Sequence, residues 1–90
     1  MSTLMPCKFT PEAYKDFLAF REQNPKIADR IKELIQNARE NPFTGIGKPE
    51  PLKYNLSGCW SRRITQQHRL VYRVVNNNLE IISCKYHYMQ

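Results

Sequence analysis

No stretch of this 90-residue chain approaches the roughly 20 consecutive apolar residues that a membrane span requires, and Met1 to Lys8 contain no apolar run of the signal-peptide kind. The protein is therefore expected in the cytoplasm, without a membrane partner. Cysteine is scarce and unpaired: Cys7, Cys59 and Cys84 are odd in number and form no CxxC pair, which argues against a disulfide framework or structural zinc and for a reducing compartment. Repeats and low-complexity segments are absent as well. Acids are missing from one half only. Residues 46–90 hold two Asp/Glu against seven Lys/Arg, whereas residues 1–45 hold six against seven. Most of the formal charge of +6 thus lies in the second half. A cationic excess concentrated on part of a small domain attracts polyanions, and phosphate backbones are the commonest of these.

What is present is a folding composition: 41% hydrophobic, 11% aromatic and 24% charged residues of both signs. A chain of this size has one core and hides no second domain, so residues 1–90 are read as a single unit. Thr10-Pro11-Glu12 is a helix start, with a capping hydroxyl, a proline suited to the first turn and a carboxylate at the positive end of the dipole. The first helix is predicted over residues 11–23, with Ala13, Tyr14, Phe17, Leu18 and Phe20 or Arg21 facing inward. Asn24-Pro25 ends it and starts a second, whose Ile27, Ile31, Leu34, Ile35 and Ala38 recur at helical spacing up to Asn41-Pro42. Gly45, Gly47, Pro49 and Pro51 then exclude helix.

From Leu52 onward, short β-rich runs alternate with turn residues: 52–56, 59–65, 68–75 and 79–88, separated by Ser57-Gly58, Gln66-Gln67 and Asn76-Asn77-Asn78. Residues 4–9 offer a further strand, which Pro6 would confine to an edge or end. The expected class is α+β: an N-terminal helical hairpin packed on one face of a mainly antiparallel sheet of four to five strands, the other face left for a ligand.

The polar residues of the second half are chemically complementary. Glu50 and Lys53 lie on the loop and first strand, Arg62, Arg63, His68 and Arg69 surround one hairpin, and His87-Tyr88 end the last strand. Metal-free RNA cleavage needs a base for the 2′-hydroxyl, cations for the phosphorane and an acid for the leaving 5′-oxygen, and Glu, Arg/Lys and His can fill these posts. Taken singly, each residue also reads as solvated surface. Side chains alternate along a strand, so Arg62 and Arg63 point to opposite faces and only one shares a site with Arg69. An even hairpin loop would select Arg62 and an odd one Arg63; the register is open at this point.

Gly47-Lys48-Pro49-Glu50-Pro51-Leu52-Lys53, Asn55 to Ile64 with its Ser61-Arg62-Arg63, His68-Arg69-Leu70-Val71-Tyr72 and Cys84-Lys85-Tyr86-His87-Tyr88 together resemble the signature of the Txe/YoeB family of the RelE superfamily, and the resemblance spans essentially the whole chain. It implies a RelE-like, microbial RNase-like fold and a type II toxin that cleaves mRNA at the A site of the ribosome, without cofactor or metal. It also implies a cognate antitoxin whose acidic segment covers the basic face. By that resemblance Glu50 is the general base, Arg69 the principal transition-state cation and His87 the general acid. Arg63 and Lys53 are implied phosphate contacts, Tyr88 orients the substrate, and Lys48 and Arg62 are backbone or 16S ribosomal RNA contacts. It favours Arg63 over Arg62, hence the odd loop. The chain departs from the family where Met89-Gln90 follow Tyr88 and where Cys59 replaces an aromatic. The competing reading is a non-catalytic basic module that binds RNA or blocks a topoisomerase. A homodimer is compatible with the sequence, although no apolar stripe demands one.

Overall fold

The computed structural model describes residues 4–86, so His87, Tyr88, Met89 and Gln90 lie outside the described residues. The chain order is β1 (Cys7–Phe9), α1 (Pro11–Gln23), α2 (Pro25–Glu40), β2 (Glu50–Pro51), a single 3-10 turn over Tyr54–Leu56, β3 (Trp60–Arg63), β4 (Arg69–Val75) and β5 (Asn78–Ser83). The strands form one sheet in the order β1-β5-β4-β3-β2. β1 runs parallel to β5 at one edge; every other pairing is antiparallel. The expected α+β architecture is found, with the Pro6-preceded strand at the edge.

Both helices begin as their prolines dictate. Pro11 and Pro25 occupy the first turns, where the missing N–H is no loss, and the Thr10 hydroxyl accepts the Ala13 N–H at 3.2 Å. Asn24 ends α1, its N–H donating to the Phe20 carbonyl at 2.7 Å, and is the N-cap residue of α2. Ala13 and Phe17 from α1, Ala28, Ile31, Leu34, Ile35 and Ala38 from α2, and Ile64, Leu70, Tyr72, Leu79, Ile81 and Cys84 from the sheet side form the core. Burial of each such Leu, Ile or Phe contributes about 1.5–3 kcal/mol. Tyr14, expected inward, is exposed at the margin of the stripe and meets Phe9 edge-on at 5.7 Å.

Two strand expectations require correction. The run 52–56 is not a strand: pairing is confined to Glu50–Pro51, Leu52 adds one N–H bond to the Cys59 carbonyl, and Tyr54 adopts a φ of 56°, incompatible with an extended chain. Pro51 has no N–H to extend the ladder and therefore stays at the sheet edge. The last strand also stops at Ser83, and Tyr86 has a φ of 65°. Elsewhere the turn chemistry holds. Asn76 and Asn77, at φ 51° and 62°, make the two-residue reversal between β4 and β5, while Asn78 already belongs to β5.

Candidate functional site

Alternation along β3 separates the two sides of the sheet. Arg62 pairs with Leu70 and Trp60 with Tyr72 on the side packed against the helices; Ser61 pairs with Val71 and Arg63 with Arg69 on the other. The β3–β4 loop, residues 64–68, is odd, which is the arrangement that sets Arg63 directly opposite Arg69. Glu50, paired with Ser61, joins the same side from β2. One acid and two arginines, drawn from three neighbouring strands, thus converge on the open face.

Directly opposed like charges destabilise a strand pair, so the Arg63–Arg69 pairing prepares a place for an anion. The Arg69 guanidinium is partly enclosed and is steadied by the hairpin loop, its Nη1 donating to the carbonyls of Thr65 at 2.8 Å and His68 at 3.2 Å. Partial burial lowers the Arg69 pKa below the usual arginine value, neighbouring Arg63 lowers it further, and the Glu50 carboxylate raises it in opposition. The three side chains therefore share one electrostatic field. A register shift between Val71 and Tyr72 leaves Ile82 unpaired beside this site, and such irregularities increase local twist.

Arg62 does not join them, which corrects the expectation of an RNA contact. It is 0% exposed. Its Nε donates to the Tyr72 hydroxyl at 2.8 Å, Nη1 to Asn37 Oδ1 at 2.6 Å and the Ile46 carbonyl at 3.1 Å, and Nη2 to the carbonyls of Asn41 at 2.8 Å and Thr44 at 2.9 Å. These acceptors are neutral, and several lie at or just beyond the C-terminal end of α2, where the helix dipole is negative. Tyr72 completes the network by donating to the Pro42 carbonyl at 2.7 Å; burial raises its phenol pKa, and the Arg62 hydrogen bond and charge oppose that shift. Arg62 thereby pins the connection 41–46 that leads to Glu50. Gly45 and Gly47, at φ 124° and 80°, let that connection approach: a Cβ on Gly45 would lie 2.0 Å from Asn37 Oδ1, and one on Gly47 2.7 Å from Leu34 Cδ2.

Lys48 is exposed in the same connection at φ 54°, and Lys53 is exposed at the start of the 3-10 turn. Both flank Glu50 in sequence. Trp60 packs against Phe43, ring centroids 4.9 Å apart, and against the core. Cys84 is wholly buried, with its sulfur 3.5 Å from the Ala13 carbonyl, and its pKa is pushed up to about 12, chiefly by burial. Among the described residues no group of three His, Cys, Asp or Glu is placed to hold a metal ion, and no helix is long and apolar enough to cross a membrane.

The approach to His87 is held at its last described residue. The Tyr86 N–H donates to His68 Nδ1 at 2.8 Å, and the Tyr86 carbonyl accepts from the Arg69 N–H at 3.1 Å. The sequence places His68 in the basic cluster without a role and does not single out Asn37. A polar residue next to the apolar stripe of α2 was the available signal for Asn37.

Comparison with known proteins agrees with this arrangement. A family model described as "YoeB-like toxin of bacterial type II toxin-antitoxin system" matches residues 9–88. The chain is 52% identical over 80 residues to "Toxin YoeB" of Escherichia coli (strain K12), covering 89% of this chain and 95% of that protein. It also resembles the toxin in a YoeB-YefM complex from Staphylococcus aureus, at 47% identity and a TM-score of 0.86 over 93% of this chain and 98% of that one. A YoeB dimer from Staphylococcus aureus matches at 45% identity and a TM-score of 0.87, covering 96% and 100%. Two helices on a five-stranded mixed sheet with an open basic face define a small α+β toxin of the YoeB/RelE-like class. Within that class the chain belongs to the YoeB family, the toxins of bacterial type II toxin–antitoxin systems.

Proposed function

We propose that this toxin is an endoribonuclease that cuts mRNA in the ribosomal A site, in the cytoplasm, with its own side chains as acid, base and electrostatic clamp. The observation that carries the reading is the strand register that sets Arg63 opposite Arg69 and brings Glu50 onto the same open face. A crowded phosphorane gains negative charge as it forms, and preorganised guanidinium groups aimed at it stabilise it most where water is partly excluded. Glu50 takes the proton of the 2′-hydroxyl, whose oxygen attacks phosphorus. Arg69 and Arg63 hold the nonbridging oxygens, and His87 gives a proton to the departing 5′-oxygen. The bond to that oxygen breaks, leaving a 2′,3′-cyclic phosphate and a 5′-hydroxyl. Lys53 and Lys48 contact flanking phosphates or 16S ribosomal RNA, and Tyr88 orients the nucleotide.

Much of the rate of such a reaction comes from positioning, and the ribosome supplies it by holding the codon. Cleavage of free RNA is accordingly slow. A cell survives such an enzyme when an acidic antitoxin segment covers the basic face; the Staphylococcus aureus relative in complex with YefM supports this partner, and the YoeB dimer supports self-association.

The test is primer-extension mapping of an mRNA incubated with purified toxin, with and without programmed 70S ribosomes, for the wild type and Glu50→Gln. Ribosome-dependent A-site cuts with cyclic-phosphate ends, reduced about 10²–10⁴-fold by Glu50→Gln, are expected. Cuts bearing 5′-phosphates would remove the mechanism, and no cuts under any condition would favour a non-catalytic binder.

A further inference from the structure

Tyr86 adopts the left-handed conformation, at φ 65°. For a non-glycine residue this conformation is strained and persists only where surrounding contacts hold it. Two consecutive residues do so. His68 accepts the Tyr86 N–H on Nδ1 at 2.8 Å, and Arg69 donates its own N–H to the Tyr86 carbonyl at 3.1 Å. The peptide planes on both sides of Tyr86 are therefore gripped from one dipeptide, which also carries the guanidinium of the open face.

His68 is well seated for this. It is 7% exposed, its ring meets Phe20 edge-on at 5.1 Å and lies 5.6 Å from Tyr86, and its N–H donates to Thr65 Oγ1 at 3.1 Å. An imidazole that accepts on Nδ1 is neutral and carries its proton on Nε2. A histidine kept only for packing would tolerate an apolar ring of similar size; one kept as an acceptor would not. Phenylalanine fills the space between Phe20 and Tyr86 but offers no lone pair. Asparagine lacks the ring but places an oxygen close to the position of Nδ1.

We propose that His68 is a positioning residue for the nuclease reaction: its Nδ1, with the Arg69 N–H, locks the Tyr86 backbone, the last described point of the chain before the proposed acid. The proposal rests on the reading of His87 as the general acid. It couples the acid-bearing segment to the cation that binds the phosphate, because residues 68 and 69 hold one and supply the other. Misplacing a reacting group by about 1 Å costs on the order of 10²-fold in rate.

The experiment compares wild type, His68→Phe and His68→Asn by single-turnover cleavage on programmed ribosomes and by nitrogen NMR of labelled protein. His68→Phe should keep its fold, lower the cleavage rate constant about 10²-fold and leave the half-saturating ribosome concentration nearly unchanged, since the basic face is intact. His68→Asn should recover most of that rate. In the wild type, a scalar coupling across the N–H···N bond should connect the Tyr86 nitrogen with His68 Nδ1. Wild-type cleavage by His68→Phe, an Asn variant as slow as Phe, or absence of the coupling would each overturn the proposal. If His68→Phe does not fold, the coupling and the Asn variant decide. A wild type that cleaves nothing removes the nuclease reading instead, and the coupling alone then decides whether the clamp exists.

Discussion

Arg62 and Arg63 are neighbours in sequence and identical in chemistry, yet they belong to different parts of the molecule. Arg62 lies between sheet and helices with five neutral acceptors around its guanidinium. Arg63 is exposed on the far face, opposite a second arginine and on the same side as Glu50. On the covered side the charge is satisfied within the protein and organises a loop; on the open side it is left in excess and is available to a ligand. The same contrast divides the sheet as a whole, with Leu70, Tyr72, Leu79 and Ile81 on one surface and Arg69, Arg73 and Glu80 on the other. The burial of one arginine thus supports the exposure of the others, because Arg62 pins the connection that delivers Glu50 to the open face.

Replacing each arginine in turn should break the comparison cleanly. Arg62→Ala opens a cavity and leaves three carbonyls, the Asn37 amide oxygen and the Tyr72 hydroxyl without their donor, and should lower stability by about 3–5 kcal/mol, seen as a collapse of the urea midpoint. Comparable stability of Arg62→Ala and wild type would show that the network does not hold the fold. Arg63→Ala should do the opposite: stability changes by no more than about 0.5 kcal/mol, and in the favourable direction, because a like-charge pair is removed. Its cleavage of ribosome-bound mRNA should fall about 10²-fold. Gly45→Ala sharpens the same contrast from the loop side. The new Cβ collides with Asn37 Oδ1 at an unfavourable φ, so a loss of about 1–3 kcal/mol is expected, with reduced cleavage following from displacement of Glu50. Thermal melts across variants would reveal whether stability and activity separate.

A last expected effect concerns the core. The folded-state pKa of Cys84, about 12, lies above the ordinary thiol value of 9.0, so between these values the folded chain keeps a proton that the unfolded chain releases. That contribution is complete below about pH 9 and is lost as pH rises toward about 12. Cys84→Ser lacks this ionisation, and the stability gap between the two proteins should shrink over that window; parallel curves would show that the thiol is not insulated.

Some of these features were readable in advance. Pro11, Pro25 and Pro42 punctuate the helices by local chemistry that no tertiary contact overrides, and the observed helices Pro11–Gln23 and Pro25–Glu40 follow it. The Asn76-Asn77 reversal is equally local. The run 52–56 misled because β propensity describes a side chain's fit to a pleated surface, and after Pro51 no neighbouring strand remains to provide one. Glu50, Arg63 and Arg69 were proposed from residue chemistry and family resemblance, but their convergence depends on pairings between strands distant in sequence.

The sequence by itself determined the two helices, the Asn76-Asn77 reversal, the basic second half and the family, because these depend on residue type and on spacings within one segment. Only the tertiary structure decided which arginine faces the open side, what encloses the other and what His68 holds. Those outcomes depend on the parity of one five-residue loop and on contacts such as Arg62 to Asn37 and His68 to Tyr86, which join residues 25 and 18 positions apart. A one-residue slip in that register would exchange the two faces of β3, turning a buried hub into a surface charge and an exposed arginine into an unpaired charge in the core.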